Sequence, residues 1–148
     1  MLRSLRLLAL PLLASPAAAQ RPDAWWQRAW TVEDIRCARC DTPALRRLRE
    51  AVGQTITILP DRFDNPLYES CTGRPDYEQV ARRPRAEAEQ AFRRLWPTPR
   101  IAATMPVAGM VRCLAPGRDW PSSLGYFVFD GAQRGYYRWE GGAVAVLR

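Results

Sequence analysis

Residues 124–147 read LGYFVFDGAQRGYYRWEGGAVAVL, and this run decides the fold. Three stretches rich in aromatic and β-branched residues, 124–129, 134–140 and 143–147, are separated by Asp130-Gly131 and by Gly141-Gly142. Asp-Gly and Gly-Gly supply the positive φ that tight hairpin turns require, so the spacing predicts an antiparallel meander. The segment 107–114 places Val107, Val111 and Cys113 on one face and joins the meander as a further strand.

Working outward, residues 29–37 alternate as a strand. Residues 54–59 set Thr55 and Thr57 against Ile56 and Ile58, the pattern of a half-buried strand. Residues 20–28 read as an N-terminal arm, 60–66 as a polar loop and 67–71 as a short strand, while Tyr77 and Val80 in 73–83 suit a strand edge or a helix equally. Thr42-Pro43 opens a helix with Thr as N-cap and Pro at the first helical position; Leu45, Leu48 and Val52 mark its buried face and Gly53 its end. Pro84 opens a second helix, in which Ala88, Ala91, Phe92, Leu95 and Trp96 follow the helical apolar repeat. Glu89 and Arg93 form a favourable pair there, worth ~0.3 kcal/mol, and Pro97 and Pro99 end the helix. The expected fold is α+β: an antiparallel sheet curled into a small barrel-like sheet, with two flanking helices. Trp139 is expected in its core, against Phe92 and Leu95; the alternative is an exposed Trp139 that anchors a partner.

The chain opens with Arg3 and Arg6, an apolar run from Leu7 to Ala14, and Ala17-Ala18-Ala19. This is the pattern of a secretory signal peptide cut before Gln20, its apolar run too short to span a bilayer. Residues 1–19 are read as that signal and 20–148 as a single exported globular domain, with no membrane span after cleavage. A composition 47% hydrophobic, with 6 Trp, 5 Tyr and 4 Phe, is enough for a real core.

The formal charge is +7, and every basic residue is Arg. With the abundance of Ala, Pro and Gly, that bias points to a GC-rich coding sequence, hence a bacterium and a periplasmic or secreted destination. A basic surface raises anionic partners such as peptidoglycan, lipid headgroups or acidic proteins. The charges are scattered, so the reading is a solvated surface, and no nucleic-acid partner is expected. Histidine is absent. That excludes Ser-His-Asp and Cys-His catalysis within the chain, as well as His-ligated metal.

Four cysteines, Cys37, Cys40, Cys71 and Cys113, in an exported domain predict two disulfides, with three connectivities open. Cys71–Cys113 is favoured as the structural bond, since it closes a loop of about 42 residues and stabilises by ~3–4 kcal/mol on the chain-entropy model. Cys37–Cys40 is then a local bridge. Cys37-Ala38-Arg39-Cys40 also permits a redox reading, because a helix N-terminus and Arg39 both favour a thiolate. In that reading the segment resembles a thioredoxin-like site, Cys37 the nucleophile and Cys40 the resolving cysteine, with Thr104-Met105-Pro106 in the part of the cis-Pro loop. A zinc site from the four cysteines lacks a second Cys-x-x-Cys knuckle. Asp61-Arg62-Phe63-Asp64-Asn65 offers oxygen ligands for Ca²⁺ without EF-hand spacing, and Asx turns before Pro66 explain it. Arg82-Arg83-Pro84-Arg85 reads as a solvated helix entry rather than a polyanion site. No metal or cofactor is expected.

In the closing hairpin, Trp139, Gly142, Ala145 and Leu147 fall at the spacings of Trp-x-Lys-Gly-x-x-Ala-x-Leu, and Gly131-Ala132 lies upstream. This resembles the periplasmic inhibitors of C-type lysozyme, over fewer than about 20 residues. The resemblance implies a small secreted β-barrel. It does not carry lysozyme inhibition across, because the Lys that such inhibitors use against the lysozyme active site corresponds here to Gly141, and two helices lie outside the pattern.

The functional expectation is a non-enzymatic exported binding or inhibitor-type domain, its partner a periplasmic protein or an anionic envelope component. The alternative is a periplasmic thiol–disulfide protein using Cys37 and Cys40. The signal reading predicts a mature N-terminus at or near Gln20. Intact-mass analysis of the envelope fraction checks it, and an uncleaved chain there overturns it.

Overall fold

The computed structural model describes residues 24–37, 39–93, 98–138 and 142–148. Among the described residues every strand pair is antiparallel, and the sheet rolls into a nearly closed barrel with two short helices outside it. In chain order the elements are β1 (Ala29–Arg36), α1 (Thr42–Arg49), β2 (Thr55–Leu59), β3 (Arg62–Asp64), β4 (Arg74–Asp76), β5 (Ala81–Arg82), α2 (Arg85–Gln90), β6 (Val107–Leu114), β7 (Ser122–Phe129), β8 (Gly135–Arg138) and β9 (Val144–Leu147). The strands lie in the order β3-β2-β1-β9-β8-β7-β6-β4, with β5 on the other part of β6. β7, β8 and β9 do form the expected meander, and β6 joins it at β7.

The barrel is filled by aromatic rings. Trp26 stacks on Phe129 with centroids 5.4 Å apart, Phe129 on Phe127 at 5.7 Å, and Phe127 on Tyr137 at 4.4 Å. Trp30 and Phe63 close on this column from β1 and β3. Such pairs add about 0.5–1.5 kcal/mol each beyond the area they bury. Trp30 is fully buried, and its indole N–H donates to the Trp26 carbonyl at 2.8 Å. Part of the expected arm is therefore barrel filling: Trp26 is buried in the column, and its carbonyl accepts the Trp30 N–H.

A hydroxyl also sits in this column. The Tyr137 hydroxyl donates to the Leu124 carbonyl at 2.6 Å and accepts from Asn65 Nδ2 at 2.8 Å. Leu124 is the extra residue of a bulge in β7, between the Val111–Gly125 and Arg112–Ser123 pairs. Gly125 has φ +125°, and a Cβ there would lie 2.4 Å from Tyr137 Cε2, so both the backbone and the ring require glycine.

The outer face of β6 to β9 carries a second apolar cluster under α2 and the segment before β6. Ala88 and Phe92 cover Ala108, Val128, Tyr136, Val144 and Val146. Asp130 holds the cover down by accepting from the N–H groups of Ala102 and Ala103, each at 2.7 Å.

Several local expectations need correction. The N-cap of α1 is Asp41, whose carboxylate accepts from Ala44 N–H at 2.7 Å, so the cap lies one residue before Thr42. Leu45 and Leu48 are only partly buried against the core, and Val52 is exposed, because α1 lies at the barrel's edge rather than across a face. Residues 60–66 are not all loop. They contain β3, which pairs with β2 across a two-residue turn and buries Phe63. Residues 67–71 form no strand; Asn65 makes an Asx turn with Leu67 N–H instead. The ambiguous 73–83 holds β4 and β5, and between them the chain crosses close over Gly109, where a Cβ would meet Gln79 O at 2.1 Å. The second helix is shorter than its apolar repeat, with Pro84 as N-cap residue and Ala91 as C-cap, and its ion pair is Arg83–Glu87 rather than Glu89–Arg93. Leu95, Trp96 and Trp139 lie outside the described residues, as does the signal segment.

The barrel has a seam. β3 and β4 end the strand order, and among the described residues no backbone ladder joins them. The loop between them crosses instead. Cys71 N–H donates to the Phe63 carbonyl at 2.8 Å, and Cys71 is bonded to Cys113 of β6, across a sequence separation of 42. Cys37 and Cys40 form the second disulfide, at a separation of 3. Removing the seam bond with Cys71→Ser and Cys113→Ser is expected to cost ~2–5 kcal/mol, and removing the Cys37–Cys40 bond less. Urea unfolding of the two double variants checks the order, and the reverse order overturns it.

Candidate functional site

Cys37 follows the last residue of β1, and α1 begins two residues after Cys40. Both cysteines are partly buried against the barrel core. The α1 N-terminus, which would favour a thiolate, instead receives the Asp41 carboxylate. That charge stands next to Cys40 in the chain and disfavours a second negative charge. Thr104-Met105-Pro106 does not come to this bridge. It leads into Val107, in the row Phe129, Gly135, Leu147 and Val32, whereas Cys37 follows Arg36, in the row of Val144, Arg138 and Tyr126. The two segments therefore lie at opposite ends of strands four places apart in the sheet.

The four cysteines are all consumed in disulfides. Among the described residues no group of three or more Cys, Asp or Glu is placed to hold a metal ion. In the segment 61–65, Asp64 pairs with Arg62, and Asn65 is buried on Tyr137. In the arginine cluster, Arg83 is held by Glu87 and by the carbonyls of Ala108 and Gln79, while Arg82 and Arg85 are exposed. Of the hairpin residues at the lysozyme-inhibitor spacings, Ala145 and Leu147 are fully buried in the barrel, and Gly142 has φ +77° in the turn.

The structure brings together a different set. A groove of about 690 Å³ runs along the outer side of β4 and the end of β6, beside the seam. Its floor follows from strand alternation. Pro75 and Cys113 face one another and are buried, so their neighbours Arg74, Asp76, Arg112 and Leu114 face outward. Arg112 forms an ion pair with Asp76, both side chains only 26% and 20% exposed, and its guanidinium lies 4.0 Å from Glu78. Asp76 also accepts from the Glu78 N–H at 2.9 Å, which fixes the turn after β4.

Aromatic residues wall the seam side. Tyr77 packs edge-on against Trp26 with centroids 5.4 Å apart, and its hydroxyl donates to the Leu59 carbonyl at 2.8 Å. Tyr77 thus ties β4 to the β2–β3 hairpin with a side chain where a ladder is missing. On the opposite side Asp119 and Pro121 line the groove, and Trp120 stands between them, 67% exposed. It is the most exposed of the large hydrophobic side chains among the described residues.

These residues carried little sequence signal. Arg112, Asp76 and Glu78 are ordinary strand and turn residues until two strands pair. Trp120 is marked only by its place between Asp119 and Pro121 in a polar loop, a poor setting for a core residue. The two disulfides are compatible with an extracytoplasmic protein. Among the described residues no helix is long and apolar enough to cross a membrane.

Comparison with protein-family models, with curated proteins and with solved structures finds no match for this chain.

Burial pushes the phenols of Tyr77 and Tyr137 well above the ordinary value of 10.0, with the Asp61 charge adding to the effect at Tyr77. A raised folded-state pKa means that the protonated form is held in the fold. Stability is then complete below about pH 10 and falls as pH rises toward the folded value. Alkaline titration of stability is expected to decline above about pH 10, and Tyr77→Phe is expected to flatten part of that slope. Circular dichroism against pH for the two proteins checks this.

Proposed function

We propose that this chain is an exported, non-enzymatic binding or inhibitor-type domain that takes its ligand in the groove beside the barrel seam. One observation carries the reading: the oriented Asp76–Arg112 pair lines a single solvent-open groove, and the exposed Trp120 stands in the chain between Asp119 and Pro121, which line the same groove. Binding sites of this kind combine apolar walls with a few convergent polar groups, on a scaffold that leaves little to order. A surface Trp exposed to 67% contributes little to the fold, and Trp is enriched among residues that dominate binding energy. The Asp41 charge beside the Cys37–Cys40 bridge supports binding over thiol–disulfide exchange.

The test has two arms. Immobilised wild-type protein and Trp120→Ala are exposed to envelope extract, and reduced protein is assayed for insulin disulfide reduction. The expected result is a component retained by wild type and lost by Trp120→Ala, with melting temperature unchanged and no insulin turnover. Insulin turnover that stops on Cys37→Ser, with retention indifferent to Trp120, overturns the proposal in favour of redox work.

A further inference from the structure

Resting on the binding reading above, we infer that the groove ligand is an uncharged, polyhydroxylated molecule: a neutral oligosaccharide. The polar lining carries both signs of charge at close quarters. Asp76, Glu78 and Asp119 supply carboxylates; Arg74 and Arg112 supply guanidinium groups. A carboxylate only accepts hydrogen bonds and a guanidinium only donates them, whereas each sugar hydroxyl does both. A row of hydroxyls therefore finds partners along the whole groove. An anion entering here meets Asp119 and Glu78, and a cation meets Arg74 and Arg112, so neither gains from the site as a whole.

The polar partners are also fixed in advance. The Asp76–Arg112 pair joins the outward residues of two hydrogen-bonded strands, and Asp76 is held a second time by the Glu78 N–H. Groups so held lose little freedom on binding, which matters for a ligand whose hydroxyls already bond well to water. The apolar component has the matching form. Sugar rings present flat C–H faces beside their hydroxyl edges, and aromatic rings take up such faces. Tyr77 forms one wall, braced edge-on by the buried ring of Trp26, and Trp120, 67% exposed, stands between two residues that line the other. A volume of about 690 Å³ is large enough to take a short chain of sugar units.

The experiment uses protein purified from the envelope fraction with both disulfides intact. It is titrated by calorimetry with cellotetraose, maltotetraose and chitotetraose, each up to about 10 mM. Saturable binding of at least one is expected. It should be weakened about tenfold or more by Trp120→Ala and also weakened by Glu78→Gln, whose carboxylate is 88% exposed and does not hold the fold. Affinity for an uncharged ligand should stay level between about 50 mM and about 500 mM salt. Failure of all three sugars, or binding indifferent to Trp120→Ala, overturns the inference. If the sugars fail while an envelope protein is retained by wild type and lost by Trp120→Ala, the ligand class is wrong and the groove stands as a binding site. If retention fails as well, the binding reading falls with it.

Discussion

A sheet rolled into a barrel has to dispose of its two edges, and everything else here depends on how β3 and β4 do so. No ladder joins them among the described residues. Side chains and a covalent bond take its place: Tyr77 donates to the Leu59 carbonyl, and Cys71, hydrogen-bonded to Phe63, is bonded to Cys113. An unclosed edge would expose backbone donors and acceptors together with the flank of the aromatic column. The disulfide acts here as a tie across a gap and not only as a limit on the unfolded chain. The loop that carries it also delivers Asn65 to the Tyr137 hydroxyl, so closing the seam gives a second partner to a hydroxyl buried in the aromatic stack.

The groove is a consequence of the same closure. Pro75 can sit in β4 because an edge strand has one side with no ladder to donate to. Its burial opposite Cys113 turns Arg74 and Asp76 outward beside Leu114 and Arg112. The covalent tie therefore ends directly beneath the groove floor, between Arg112 and Leu114. The floor of the groove is thus among the most constrained parts of the surface, while Trp120 lies on the hairpin loop between β6 and β7. A rigid polar floor beside an exposed aromatic is a division of labour suited to recognition, with orientation set by the floor and apolar contact supplied by the loop.

The strands were legible where turn chemistry and alternation agreed. Asp130-Gly131 ends β7, and Ile56 and Ile58 alternate with Thr55 and Thr57 in a way that only a half-buried strand satisfies. They were illegible where a strand was too short to show a period. β3 is three residues inside a polar stretch, and its one apolar residue, Phe63, gave no pattern. The helix starts misled for a similar reason. Thr42 and Asp41 are both good caps, and which one acts depends on where the chain leaves the Cys37–Cys40 bridge. In α2 the apolar repeat runs past the helix itself, because Phe92 is buried from the turn after it.

The candidate site was the least legible part. Cysteine positions and the lack of histidine are properties of the chain, and so are the alternating runs and glycine turns that dictate antiparallel pairing. These follow from local sterics and from which residues water excludes, and the sequence by itself determines them. The meeting of Asp76 with Arg112, of Tyr77 with Trp26 and of Asn65 with Tyr137 was decided only by the tertiary structure. Each pair joins residues far apart in the chain, whose encounter depends on strand register and on closure of the seam, and no local pattern encodes that register.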